Sequence, residues 1–373
     1  MEIRWRTLPF IAALLTVLAA LVALDMAVRD SYGPAALHEW ASQDFLAHER
    51  DDHGHMISQV YELQDDPPPA DRQAIYVIGG STVREGFLPD VAIRRLIEAD
   101  AGKAPFWTTL ASFDQTLAET WRVALNLPLH DGDLVVISVN PRRLGILEER
   151  LKMENRVSRL SLLPMPETGR LEAAGLTGST FTLESVSALF RHRLYIQNWY
   201  TSRLPGAAKT AWAGISAGEF GSVSLADALQ LRPRNVRRYV RYAYGNLPLP
   251  AAEKTRIAAE VRRLRVPQYF EQADFNERYL RELIRALQDR GAKVALLQLP
   301  RSQQSVDAYD EVWDDFEARL KRISDDTGAG RVDLRDVRFA EDEYFDLEHL
   351  TRSGRPVLTR RAVEAVLEVA GAS

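Results

Sequence analysis

Leu134-Val135-Val136-Ile137-Ser138-Val139, entered through the turn Asp131-Gly132-Asp133, is the clearest buried strand in the chain. Apolar runs of this kind belong to strands covered on both faces. A second stands at Ala74-Ile75-Tyr76-Val77-Ile78, and the spacing predicts a third at residues 106–110. Helical patterns separate them, over residues 91–97 and over 115–125, where Leu117, Trp121, Ala124 and Leu125 share one face. Strand alternating with helix is the rhythm of a parallel α/β sheet, so the expected fold is a three-layer α/β sandwich with a mainly parallel central sheet.

The rhythm stops after Asn140-Pro141 for well over a hundred residues. It resumes with an amphipathic helix over 275–290, the strand Lys293-Val294-Ala295-Leu296-Leu297-Gln298-Leu299 and a helix over 309–324. The short strand Arg331-Val332-Asp333-Leu334 and a final helix complete it. Pro356 must fall in the first turn of that helix, since an interior proline costs about 3 kcal/mol. The economical architecture is one sheet interrupted by a largely helical insertion at about 145–275. Within it, residues 183–200 look helical, and Arg232-Pro233-Arg234-Asn235-Val236-Arg237-Arg238-Tyr239-Val240-Arg241-Tyr242 is basic with interleaved aromatics. That segment reads either as a solvated helix face or as a contact for lipid headgroups or an anionic polymer.

Ahead of the domain, Arg4 and Arg6 precede an uncharged run over residues 8–24, at the short end for crossing roughly 30 Å of hydrocarbon. The basic flank places the N-terminus in the cytoplasm. No clean small-x-small cleavage site follows, so residues 1–28 read as an uncleaved transmembrane signal anchor, with a cleaved signal peptide as the rival. Residues 29–72 are polar without sustained period and end in Asp65-Asp66-Pro67-Pro68-Pro69, an extracytoplasmic stalk leading into a domain over 73–373. His48, His53 and His55 lie in that stalk, and a metal site built on them is outranked by a solvated polar segment. The chain has no cysteine, which excludes disulfides and thiolate metal sites. Its formal net charge of -5 argues against a general nucleic-acid surface.

Two stretches carry chemistry. Gly79-Gly80-Ser81-Thr82 follows the first strand, at the sheet edge where open α/β folds place ligands, and its spacing fits neither a Walker nor a dinucleotide turn. Near the C-terminus, Asp346-Leu347-Glu348-His349 sets a carboxylate three residues before an imidazole. A serine hydroxyl becomes a nucleophile when an imidazole takes its proton and a carboxylate orients the ring. Taken alone, the pair reads equally as a buried histidine beside a helix-capping aspartate. Arg84 and Glu85, just past the serine, read as a solvated ion pair, with Arg84 as a weaker substrate-binding candidate.

These blocks, over 75–144 and 293–369, resemble the SGNH or GDSL-like serine hydrolases, whose fold is flavodoxin-like. The resemblance implies Ser81 as nucleophile, His349 as general base and Asp346 as its orienter. The oxyanion hole would comprise the Ser81 backbone, Asn140 and, where the family's central glycine is missing, Ser112. Gly80 stands in place of the usual aspartate. No cofactor is implied. The anchor and insertion resemble the branch that works beside membrane-bound O-acyltransferases in alginate acetylation and teichoic-acid D-alanylation. Such a likeness implies a serine esterase or O-acyltransferase in the periplasm, attached to the inner membrane. It would act on acyl groups of a cell-surface or exported polysaccharide, with an O-acyltransferase partner and no nucleic acid. A non-catalytic polymer-binding or assembly role is the alternative.

Overall fold

The computed structural model describes residues 8–31, 52–100, 104–155, 158, 160, 163–178, 187–191 and 247–371. The chain divides into two compact units, one of Met1–His48, Arg156–Pro164 and Ser179–Arg232, the other of Glu49–Asn155, Met165–Gly178 and Pro233–Ser373. In chain order the helices and strands begin with α1 (Leu8–Ser31), α2 (Asp52–Asp65), β1 (Ala74–Gly79), α3 (Ser81–Gly86), α4 (Asp90–Asp100) and β2 (Phe106–Ala111). There follow α5 (Leu117–Ala124), β3 (Leu134–Ser138), α6 (Pro141–Leu144), α7 (Glu148–Glu154), α8 (Thr168–Ala173) and α9 (Ala188–Arg191). The remainder are α10 (Ala251–Glu260), α11 (Val266–Gln288), β4 (Lys293–Gln298), α12 (Gln303–Ala308), α13 (Trp313–Thr327), β5 (Gly330–Asp333) and α14 (Arg355–Ala370).

In the first unit, the carboxylate of Asp25, on α1, accepts from Ser187 Oγ at 2.5 Å and from the Leu189 amide at 3.0 Å at the start of α9. The described side chains of α1 run over residues 12–26, about 22 Å of helix, and Leu14, Leu15, Val17, Leu18 and Leu21 are exposed. Among the described residues no helix is long and apolar enough to cross a membrane. Most of the helix expected over 183–200, and the basic aromatic segment 232–242, lie outside the described residues.

The second unit is built on a five-stranded sheet of order β2-β1-β3-β4-β5, with every neighbouring pair parallel. This is the doubly wound 2-1-3-4-5 order, in which connections from the central strands leave in opposite directions. One face, with Ile75, Val77, Leu134, Val136, Ala295 and Leu297, packs against α3, α4 and α14. The alternate residues Tyr76, Ile78, Val135, Ile137, Val294 and Leu296 are buried on the other face, where α5 and α11 contact the sheet. All three layers of the expected sandwich are therefore present. Pro356 sits in the first turn of α14, as its missing N–H requires.

Two sequence expectations change. Residues 52–65 belong to a helix rather than to an extended stalk, and Met56, Ile57, Val60 and Leu63 bury one side of it. Gln64 Nε2 fastens that helix to the Asn126 carbonyl at 2.6 Å. His53 and His55 fall on this helix, while His48 lies outside the described residues. The amphipathic helix expected over 275–290 begins earlier, at Val266, with Pro267 in its first turn.

Gly79 fixes how closely β1 can feed α3. A β-carbon there would lie 2.9 Å from Ser138 Cβ and 3.0 Å from Val83 Cβ, distances that real side chains do not sustain. At Gly80 the nearest atoms to such a carbon, Ser112 O and Gln115 N, are 4.0 Å away. Gly79→Ala is expected to cost about 2 kcal/mol by overpacking. Gly80→Ala should change stability by less than about 1 kcal/mol, and urea denaturation of the two variants tests the contrast.

Candidate active site

Ser81 opens α3 directly beyond β1, after the chain turns at Gly80 in an extended conformation, φ −85° and ψ −165°. β1 and β3 are neighbours with Ile78 opposite Ile137, so Ser81 and Asn140 leave the two central strands at the same level. That level is the carboxyl edge at the point where the strand order reverses, the crevice that doubly wound sheets use for ligands.

His349 reaches this crevice from the other end of the chain. Its Nε2 lies 2.7 Å from Ser81 Oγ, and its Nδ1 lies 2.8 Å from Asp346 Oδ2. With the imidazole neutral, the Ser81 hydroxyl donates to Nε2 and the Nδ1–H donates to Asp346. The other carboxylate oxygen of Asp346 accepts the backbone N–H groups of Glu348, 2.8 Å, and His349, 2.9 Å. One aspartate thus shapes the turn and orients the ring that the turn carries.

The turn is held from three sides. Tyr344 and Leu350 form an antiparallel bridge, and the Phe345 N–H donates to the His349 carbonyl at 2.7 Å. Lys254 of α10 buries its ammonium against the carbonyls of Glu341 and Tyr344, both at 2.7 Å. The Ser302 N–H, beyond β4, donates to the Leu347 carbonyl at 3.2 Å. Nearby, Arg301 binds Glu348 at 2.6 Å and lies over the rings of Tyr309 and Trp313.

These contacts set the electrostatics. Burial favours the neutral acid of Asp346, but His349 and the two amide donors outweigh it and hold the carboxyl well below the usual carboxylate range. For His349 burial opposes the charged ring. The charge and hydrogen bond of Asp346, with Glu348 and Glu85 behind them, win and raise it above the ordinary value of 6.5. Glu348 resists burial in the same way, kept ionised by Arg301 and Arg142.

The residues expected at an oxyanion hole are placed unequally. Ser81 N–H, in the first turn of α3, has no acceptor among the described residues. Asn140 caps α6 by accepting the Arg143 N–H at 2.9 Å on Oδ1, which leaves its Nδ2 to donate. Beneath it the buried Arg143 donates to the Ser138 carbonyl and the Thr120 hydroxyl, and burial pulls its guanidinium down to about 10, still charged at neutral pH. Ser112 is fully buried: its N–H is engaged by the Gly79 carbonyl at 3.3 Å, and its hydroxyl finds no partner.

Arg84 and Glu85 form the expected pair, but it is not solvated. Glu85 is 1% exposed and is held between Arg84 at 2.7 Å and Arg355 of α14 at 2.5 Å. The Arg84 guanidinium is thereby directed to Glu85. Among the described residues no group of three His, Asp or Glu is placed to hold a metal ion.

Sequence reasoning passed over several groups around the site. Asp114, in the left-handed region at φ 51°, binds Arg142 at 2.8 Å and Arg150 at 2.9 Å, joining the loop after β2 to the one after β3. A pocket of about 170 Å³ borders His349, walled by Arg142, Tyr309, Glu348, Val261 and Arg265. Arg142 follows Asn140-Pro141 and Arg301 follows Pro300, both just past strand ends, so the sheet-edge rule could have marked them. Lys254 had no such signal.

The raised His349 pKa carries a sign. A group protonated more readily in the folded state contributes stability that is complete below its unfolded pKa and is lost as pH rises through the folded value. NMR titration of the His349 ring is expected to give a midpoint above 6.5 in the wild type and a lower one in Asp346→Asn, with stability above pH 8 less affected by that substitution than stability at pH 5.5. No protein-family model matches this chain, and no curated protein matches it either.

Proposed function

We propose that this chain is a serine esterase or O-acyltransferase of the SGNH-like kind, forming an acyl-enzyme at Ser81. The observation that carries the reading is the continuous relay from Ser81 Oγ through both ring nitrogens of His349 to Asp346, at 2.7 and 2.8 Å. In the first half-reaction Ser81 Oγ attacks the ester carbonyl while its proton passes to His349 Nε2. The resulting imidazolium is stabilised by Asp346 and returns that proton to the departing alcohol oxygen. In the second, His349 takes a proton from water or from an entering sugar hydroxyl, whose oxygen displaces Ser81 from the acyl group, and the imidazolium returns that proton to Ser81 Oγ as it leaves. The tetrahedral oxyanion would be held by Ser81 N–H and Asn140 Nδ2, each such donor being worth about 2.7–4 kcal/mol in acyl transfer.

The chemistry is joined to a location by the N-terminus. The basic flank at Arg4 and Arg6 and the uncharged apolar run over 8–24 are the sequence features that support an inner-membrane anchor with the α/β unit on the outer side. An exported enzyme tethered at the membrane meets polysaccharide leaving the cell, and transfer or removal of acetyl groups on such a polymer is the activity proposed. A membrane-bound O-acyltransferase would be a suitable acyl source.

Ser81→Ala and His349→Ala are each expected to lower turnover of a small acetyl ester on the order of 10⁴-fold or more while leaving the protein folded. A fluorophosphonate should label wild type and not Ser81→Ala. Undiminished turnover in either variant would refute the nucleophile and base. Saturable polymer binding by a wild type that never labels would mark an assembly partner instead.

A further inference from the structure

One side chain in the wall of the pocket beside His349 is incomplete. Tyr309, which closes the end of α12, is 1% exposed, and its hydroxyl has no hydrogen-bond partner among the described residues. Its backbone N–H donates to the Ser305 and Val306 carbonyls, both at 3.2 Å. Its ring is held by the Arg301 guanidinium, 5.6 Å from the centroid, and by Trp313, whose ring stands at 68° to it with centroids 6.4 Å apart. Each of these contacts uses the backbone or the ring, and a phenylalanine would make them all. The phenol oxygen therefore adds nothing to the packing, while an unpaired hydroxyl in the interior is costly.

The charges acting on that hydroxyl place it at the cavity. Burial pushes the phenol up to about 12, and the charged groups bearing on it are Glu348, Arg301, Arg142 and Arg265, all but Arg301 lining the pocket. A phenol held that high keeps its proton at neutral pH and is a donor.

The rest of the pocket indicates what the donor meets. The cavity borders the His349 ring and the Asp346 turn but not Ser81 or Asn140. His349 exchanges its proton with the oxygen of the departing or entering alcohol, so a group seated here belongs to the alcohol portion of an ester and not to the acyl group. The charged groups nearest the ring are already matched: Asp346 with His349 at 2.8 Å, Glu348 with Arg301 at 2.6 Å, and Arg142 with Asp114 at 2.8 Å. Ile257, Val261 and Leu347 give the cavity aliphatic sides. Apolar walls with an uncommitted neutral donor fit a short carbon chain that carries a hydroxyl.

We propose that Tyr309 is a specificity-determining residue, its hydroxyl donating to a second hydroxyl of the alcohol close to the ester oxygen, so that monoesters of diols are preferred over esters of simple alcohols. The inference rests on the acyl-transfer reading given above and adds to it the side chain that reads the alcohol and the group it reads.

Four neutral esters on the full chain test it. Ethylene glycol monoacetate is compared with propyl acetate, its isostere without the second hydroxyl, and 1,3-propanediol monoacetate with butyl acetate. At least one diol ester should exceed its alkyl counterpart about tenfold in kcat/KM, chiefly through KM, and the better pair reports the spacing between ester and hydroxyl. Tyr309→Phe should bring that ratio close to one without lowering the melting temperature, because the lost oxygen bonds nothing in the resting protein. Equal kcat/KM for both members of each pair, or a preference that Tyr309→Phe leaves intact, would overturn the proposal. So would a lowered melting temperature with diol and alkyl esters slowed alike, the mark of a purely structural tyrosine. Ser81→Ala, labelled with carbon-13 at the tyrosine ζ-carbons, separates the inference from the reading it rests on. The resonance absent from the same protein carrying Tyr309→Phe should shift with the diol esters and not with the alkyl acetates. That shift without any wild-type turnover sinks the esterase and supports the tyrosine, whereas turnover without shift or preference sinks the tyrosine alone.

Discussion

Asp346 is asked to be two things that are usually separate. As the acceptor of two backbone amides it dictates the path of its own turn, and as the partner of Nδ1 it sets the tautomer and tilt of the imidazole that the turn presents. A buried carboxylate with only one of these roles would be costly to ionise, since desolvation favours the neutral acid. With both, each oxygen is saturated by donors and the group stays charged. The turn then needs support rather than shaping, which comes from Lys254, the bridge of Tyr344 to Leu350, and the Ser302 amide beyond β4.

Opposite that turn, the serine side is positioned by steric closeness and buried charge. Gly79 lets α3 approach the end of β3, and Arg143 ties the Ser138 carbonyl to the first turn of α5 through Thr116 and Thr120. Asp114 bridges the same two loops from outside, and Arg150 continues the chain of charges to Glu154, which also receives the Thr116 hydroxyl. Burial and the nearby Glu119 push the Glu154 carboxyl upward. A network of this kind gives little net stability, because desolvation offsets much of the Coulombic gain. Its effect is geometric: the loops after β1, β2 and β3 are fixed relative to one another at the crevice.

Much of this was legible where one local pattern sufficed. The runs at 75–78, 134–139 and 293–299 could bury both faces only as inner strands, and they became β1, β3 and β4. Ser81 and His349 were marked by position at a strand end and by the three-residue gap to Asp346, and the structure brings them into hydrogen-bonding reach. Helix α2 was missed because Asp52, His53, Gly54 and His55 mask an apolar spacing at Met56, Ile57, Val60 and Leu63 that is helical on inspection. The start of α11 was missed because Pro267 looks like a break when it is a first-turn residue. The partners Lys254 and Arg355 were beyond reach, since long-range partners of a buried carbonyl or carboxylate leave no trace in local sequence.

The charges around His349 bear on catalysis as well as on the shape of the turn. His349 is already more basic than a free imidazole, and Glu348, with one edge toward Arg301 and the pocket, contributes to that. The cationic ring that exists while the proton is in transit gains from these carboxylates more than the neutral ring of the resting state, so the negative charge placed around His349 is expressed where charge develops.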